Sequence, residues 1–150
     1  MGRQVGTQFH AWGLSHIDAA NRDVPLGQKT NPLMPLGQIV DKLGHSGRTI
    51  DILKIDCEGC EFAGFQLVWR DIIAGKYKIS QIQVEVHLYE HEADVPLFFA
   101  DAAKAGFELF HKQRNHWGCL GWTCVEFSFI SKDAKRDIYA HDICPEILRG

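Results

Sequence analysis

The sequence predicts an α/β fold with a mostly parallel sheet that ends in an antiparallel C-terminal strand pair. Three observations predict it. Apolar runs of strand length alternate with segments of helical period. One run, "TIDILKID" (49–56), is apolar on both sides of its pleat, as strands covered on both faces in parallel sheets are. The last two runs, "FELFHKQ" (107–113) and "WTCVEFSFIS" (122–131), flank a loop at 115–121, as antiparallel neighbours do.

The elements follow in order. "TQFHAWGLS" (7–15) reads as a short strand with a turn at Gly13. Residues 16–31 are polar and rich in Asn, Asp, Gly and Pro, a loop composition. "PLGQIVDKLG" (35–44) reads as a short helix: Pro35 suits its first turn, Leu36, Ile39, Val40 and Leu43 form one stripe, and Gly44 stops it. The strand at 50–56 follows. After Gly59 the period becomes helical, with Phe62, Phe65, Trp69, Ile72 and Ile73 recurring up to Gly75. "ISQIQVEVHL" (79–88) alternates, with Ile82, Val84 and Val86 on one side and Gln83, Glu85 and His87 on a polar, partly open side. Asp94 is expected to cap a helix that Gly106 ends. The last 19 residues show no pattern and are read as a tail (132–150).

The chain has 150 residues, enough for one domain with a real core. Hydrophobic content is 45%, charged content 23% and net charge −3. Without a basic block, no nucleic-acid footprint is expected. No apolar run has the length of a membrane span. Five cysteines, an odd count with no secretory signal, point to reduced thiols in a reducing compartment, the cytoplasm by default.

Open α/β sheets bind ligands outside the carboxyl ends of their strands. Two strands end there in polar groups: Asp56-Cys57-Glu58-Gly59 and Glu85-Val86-His87. The acids also suit a helix N-terminus, where negative charge is favoured by about 0.3–1 kcal/mol. Glu61 fits that account, as a solvated first-turn charge. Asp56 directly follows an apolar strand and reads as functional. His87 reads either as a site residue or as a strand-end histidine bonded to the backbone. His91 and Glu92 read as solvated loop residues rather than metal ligands.

Cys57-Glu-Gly-Cys60 is a C-x-x-C at a strand-to-helix junction, where a helix N-terminus stabilises a thiolate. A thiol–disulfide or zinc-binding module built on Cys57 and Cys60 is therefore one alternative, and structural thiols are the simplest reading. A non-catalytic α/β interaction module is another.

"IDILKIDCEGCEF", "QIQVEVH", "AGFELFHKQRN" and "CVEFSFIS" together resemble the C-terminal half of FkbM-type and methyltransferase-like class I methyltransferases. The resemblance covers residues 8–131, and residues 1–131 are read as the C-terminal portion of such a domain. It implies a partial Rossmann-like sheet taken from the order 3-2-1-4-5-7-6, with 50–56 as the fourth strand and 79–88 as the fifth. It also implies that S-adenosylmethionine lies across the strand ends. Trp12, Gly13 and Leu14 then fall beside the adenine, and Asp56 near the sulfonium. Asp56, Glu58 and His87 are the catalytic candidates, and Glu61, Glu85 and Asn115 the acceptor-side residues.

No glycine-rich strand end, which in this family cradles the methionine part of the cofactor, precedes residue 8. The expectation is a fragment that binds the cofactor poorly alone and leaves its fourth strand as an apolar edge. The implied reaction is methyl transfer to a hydroxyl of a small molecule or sugar, with His87 or Asp56 as general base. A divalent cation held by Asp56, Glu58 and one further oxygen is the alternative way to orient the acceptor.

Overall fold

The computed structural model describes residues 6–15, 32–88, 92–117, 119 and 123–136. The loop expected at 16–31, His91, the side chain of Glu92 and the tail beyond 136 lie outside the described residues. In chain order the elements are β1 (Gly13–Leu14), β2 (Leu33–Met34), α1 (Leu36–Lys42), β3 (Thr49–Ile55), α2 (Glu61–Ile73), β4 (Lys78–His87), a 3-10 turn (Glu92–Asp94), α3 (Val95–Lys104), β5 (Phe107–Arg114) and β6 (Cys124–Ser131).

Four strands form the main sheet in the order β3-β4-β6-β5. β3 and β4 pair in parallel, from Thr49 opposite Lys78 to Ile55 opposite Val84. β6 lies antiparallel to β4, with His87 opposite Cys124, and antiparallel to β5, with Phe107 opposite Ser131. Hence β3, β4 and β5 point one way and β6 runs back between β4 and β5. This is the order that the resemblance implies for strands four, five, seven and six. The expectation of a mostly parallel sheet holds for strand direction but not for pairing, since β3–β4 is the main sheet's one parallel pair.

The core follows from the apolar spacing. Phe62, Phe65, Val68 and Trp69 of α2 and Phe98 and Ala102 of α3 pack on Ile82, Val84 and Val86 of β4, Phe107 of β5 and Phe129 of β6. Phe98 stands edge-on to Phe65 at 5.4 Å and to Trp69 at 5.9 Å, an arrangement worth about 0.5–1.5 kcal/mol per pair beyond burial. Gly106 ends α3 at φ 85, a conformation that costs a residue with Cβ.

Several expectations need correction. The ladder at 7–15 holds only Gly13–Leu14, and its parallel partner is β2, which the sequence reading lacks. Two residues wedged before Pro35 are too few to show a period. The run at 50–56 is not covered on both faces. Among the described residues β3 is an edge of the sheet and its Ile52 is 56% exposed, in line with the expected apolar edge. The second side of β4 is not open, because Glu85 and His87 are buried. Asp94 makes no side-chain cap: it is helical in backbone (φ −86, ψ −17), whereas a capping side chain needs an extended one. Residues 132–136, read as tail, are helical, and the Ala134 N–H donates to Ser131 Oγ at 3.2 Å. That serine was a legible helix start. No described helix is long and apolar enough to cross a membrane.

Candidate functional site

Parallel pairing brings the two polar strand ends to one rim. The β3–β4 ladder ends with Ile55 opposite Val84, so Asp56 leaves β3 beside the last residues of β4, Glu85 to His87. The side chains meet accordingly. His87 Nε2 lies 3.2 Å from Glu58 Oε2 and 3.9 Å from Asp56 Oδ1. Its Nδ1 lies 2.9 Å from Glu61 Oε1. Exposure grades outward, with Glu61 fully buried, His87 1% exposed, Asp56 48% and Glu58 73%.

The turn between β3 and α2 makes this possible. Glu58 adopts φ 54 and Gly59 φ 112. Two consecutive left-handed residues reverse the chain tightly and return the Glu58 carboxylate over His87. A residue with Cβ held there costs about 1–3 kcal/mol, a strain found at functional sites. Glu61 holds the turn from inside. Its two oxygens accept the Gly59 N–H at 3.2 and 3.0 Å, and one also accepts the Cys57 N–H at 3.4 Å. Glu61 is therefore not the solvated first-turn charge expected. Its fully buried carboxylate faces the loop and His87. A glutamate at the start of a helix is indistinguishable by sequence from an ordinary first-turn acid, so no local signal marked this role.

The adjoining wall is polar and ordered. Glu85 Oε1 accepts the Asn115 Nδ2–H at 2.8 Å, and Asn115 Oδ1 accepts the Trp117 N–H at 3.0 Å. Glu85 and Asn115, both expected on the acceptor side, are thus brought together. Trp12 stacks on His10 at 4.4 Å. Leu14 lies against the first turn of α2, where a methyl group on Gly64 would stand 3.5 Å from Leu14 and 3.9 Å from Cys60 Sγ. β1 therefore flanks the α2 N-terminus.

The cysteines differ from expectation. Cys57 is paired with Cys60 and Cys119 with Cys124, each with Cα atoms 5.5 Å apart. That separation lies in the range a disulfide needs. The reversal at Glu58–Gly59 sets the first pair, which closes the acidic turn. The second adjoins His87, which faces Cys124 across the ladder.

A family model described as a methyltransferase domain (Methyltransf_22) matches residues 2–131. The chain belongs to this methyltransferase-domain family. The match takes in every element from β1 to β6, so the rim just described lies inside the methyltransferase domain. No curated protein and no solved structure matches the chain significantly.

Proposed function

We propose that this methyltransferase domain is an S-adenosylmethionine-dependent enzyme of the FkbM-like kind with a Rossmann-like sheet, and that it methylates a hydroxyl of a small molecule or sugar. One observation carries the reading: Asp56, Glu58 and His87 converge at the carboxyl rim of parallel neighbours β3 and β4. That is where sheets of this class bind ligands. The described residues fit the sulfonium side of the cofactor, since exposed carboxylates complement a positive sulfonium. Leu14 borders the same helix end, and Trp12, Gly13 and Leu14 would hold the adenine side. The cofactor, when bound, supplies an electrophilic methyl group.

The chain's own residues do the rest. Asp56 and Glu58 reach solvent and meet the acceptor, and one of them takes the hydroxyl proton. His87 is too buried to meet the acceptor and acts behind them, oriented by Glu61 through Nδ1. The Glu85–Asn115 pair shapes the acceptor wall.

The test is transfer of a labelled methyl group from S-adenosylmethionine to a panel of hydroxyl compounds. Transfer by the wild type that falls at least 100-fold in Asp56→Asn, with unchanged thermal stability, supports the reading. Full activity in Asp56→Asn overturns the assignment.

A second reading rests on the pairing of Cys57 with Cys60 at a strand–helix junction, which suits dithiol–disulfide exchange. After reduction, one acidic, fast-reacting thiol in this pair supports it. Two ordinary, slow thiols dismiss it.

A further inference from the structure

We propose that Asp56, Glu58 and His87 form a binding site for one first-row divalent cation, with His87 Nε2 as its nitrogen ligand. One ligand atom from each residue lies within 4.8 Å of the others. Cis ligands around a cation with bonds of about 2.1 Å stand about 3 Å apart, and trans ligands about 4.2 Å. The Nε2 to Glu58 distance of 3.2 Å matches a cis pair. The Nε2 to Asp56 distance of 3.9 Å falls between the two limits, and Asp56 is exposed enough to adjust.

The site is more than a patch of acids. Its third ligand is a buried imidazole whose other nitrogen is held by a fully buried carboxylate, Glu61, at 2.9 Å. A metal-binding histidine is characteristically oriented this way, its far N–H donated to a carboxylate so that the near nitrogen presents a lone pair. Glu61 cannot reach a substrate, so orientation of the ring and of the turn is what it provides. Three carboxyl groups thus converge on one imidazole. A divalent cation among them would offset two of the three negative charges.

Another group shares His87, formed with Glu85, Cys119 and Cys124. Its two sulfurs are bonded to each other, which leaves no thiolate to bind a metal. The mixed nitrogen–oxygen set at the rim suits Mn2+, Fe2+, Co2+ or Zn2+ better than Ca2+. Each carboxylate gives the cation one oxygen and keeps its second for the acceptor's proton, and three protein ligands leave open positions on the solvent side that two adjacent oxygens of an acceptor, such as a vicinal diol or a hydroxy acid, would fill. Only that last use rests on the transferase reading.

Mn2+ alone is the probe. Titration of the wild-type chain, followed by electron paramagnetic resonance, is expected to show one bound Mn2+ per chain, with nitrogen modulation from one imidazole in the spin-echo signal. Asp56→Asn and Glu58→Gln, both at exposed positions, are expected to weaken binding at least 10-fold. Glu61→Gln, which touches no metal, is expected to weaken it about 10–100-fold by loosening the ring. Absence of nitrogen modulation, no binding at millimolar Mn2+, or affinity unchanged in both exposed variants overturns the site. The readout uses no methyl donor, so failure of transfer and failure of cation binding are told apart.

Discussion

Glu61→Gln tests whether the buried carboxylate organises the site. The side chain is fully buried and accepts from the Gly59 N–H with both oxygens, from the Cys57 N–H and from the His87 ring. Glutamine has nearly the same shape but turns one acceptor into a donor. If its remaining oxygen faces His87, its NH2 group faces the Gly59 N–H, donor against donor. The opposite flip sets NH2 against the Nδ1–H. A hydrogen bond to a charged group contributes about 1.5–3 kcal/mol. Three of the four contacts lie on Oε1 and one, from the Gly59 N–H, on Oε2. With the oxygen kept at Oε1 and the Oε2 contact turned donor against donor, the expected loss is about 1.5–3 kcal/mol. The assay is urea unfolding followed by tryptophan fluorescence. At a slope of about 2 kcal/mol per molar urea, the midpoint falls by about 0.7–1.5 M with the slope unchanged. A first-turn charge in water would contribute only about 0.3–1 kcal/mol. A loss within that smaller range refutes the account of Glu61 as the internal hub.

Three further outcomes follow from the same structure. At position 58, glycine fits φ 54 without strain, whereas a β-branched residue does not. Glu58→Gly is therefore expected to keep stability within about 1 kcal/mol of wild type and Glu58→Val to lose about 1–2 kcal/mol, measured by urea unfolding; the reverse ranking refutes the strain. Phe98→Ala removes the ring that touches Phe62, Phe65, Trp69 and Phe129, and a loss of about 3–5 kcal/mol in unfolding is expected. Burial, with the Asp71 charge adding and Arg70 opposing, holds the Tyr77 phenol well above its ordinary value. The unfolded phenol ionises near pH ~10 while the folded one stays protonated, so this stabilisation is present below that pH and fades as pH rises. Urea midpoints taken on either side of that pH are expected to fall more in the wild type than in Tyr77→Phe, and equal falls refute it.

Much of the fold was legible because helix and strand periods are local. The stripe through Phe62, Phe65 and Trp69 marked α2, and the alternation of Ile82, Val84 and Val86 marked β4. Asp56 and His87 were legible as site candidates because each ends its strand or directly follows it, and their meeting required only that β3 and β4 be parallel neighbours. β2 was not legible, since two residues carry no period.

The sequence by itself thus determined which residues are apolar at which spacing, and hence the order of helices and strands and the two polar strand ends. Only the tertiary structure decided that the second side of β4 is closed, that Glu61 is buried, and that four of the cysteines are paired. The reason is physical. Periodicity reports which face of an element is apolar, but burial and pairing depend on what lies across from that face. The neighbours of Glu61 are a histidine 26 positions on and a backbone turn with positive φ, and neither is visible in the glutamate's own stretch of chain.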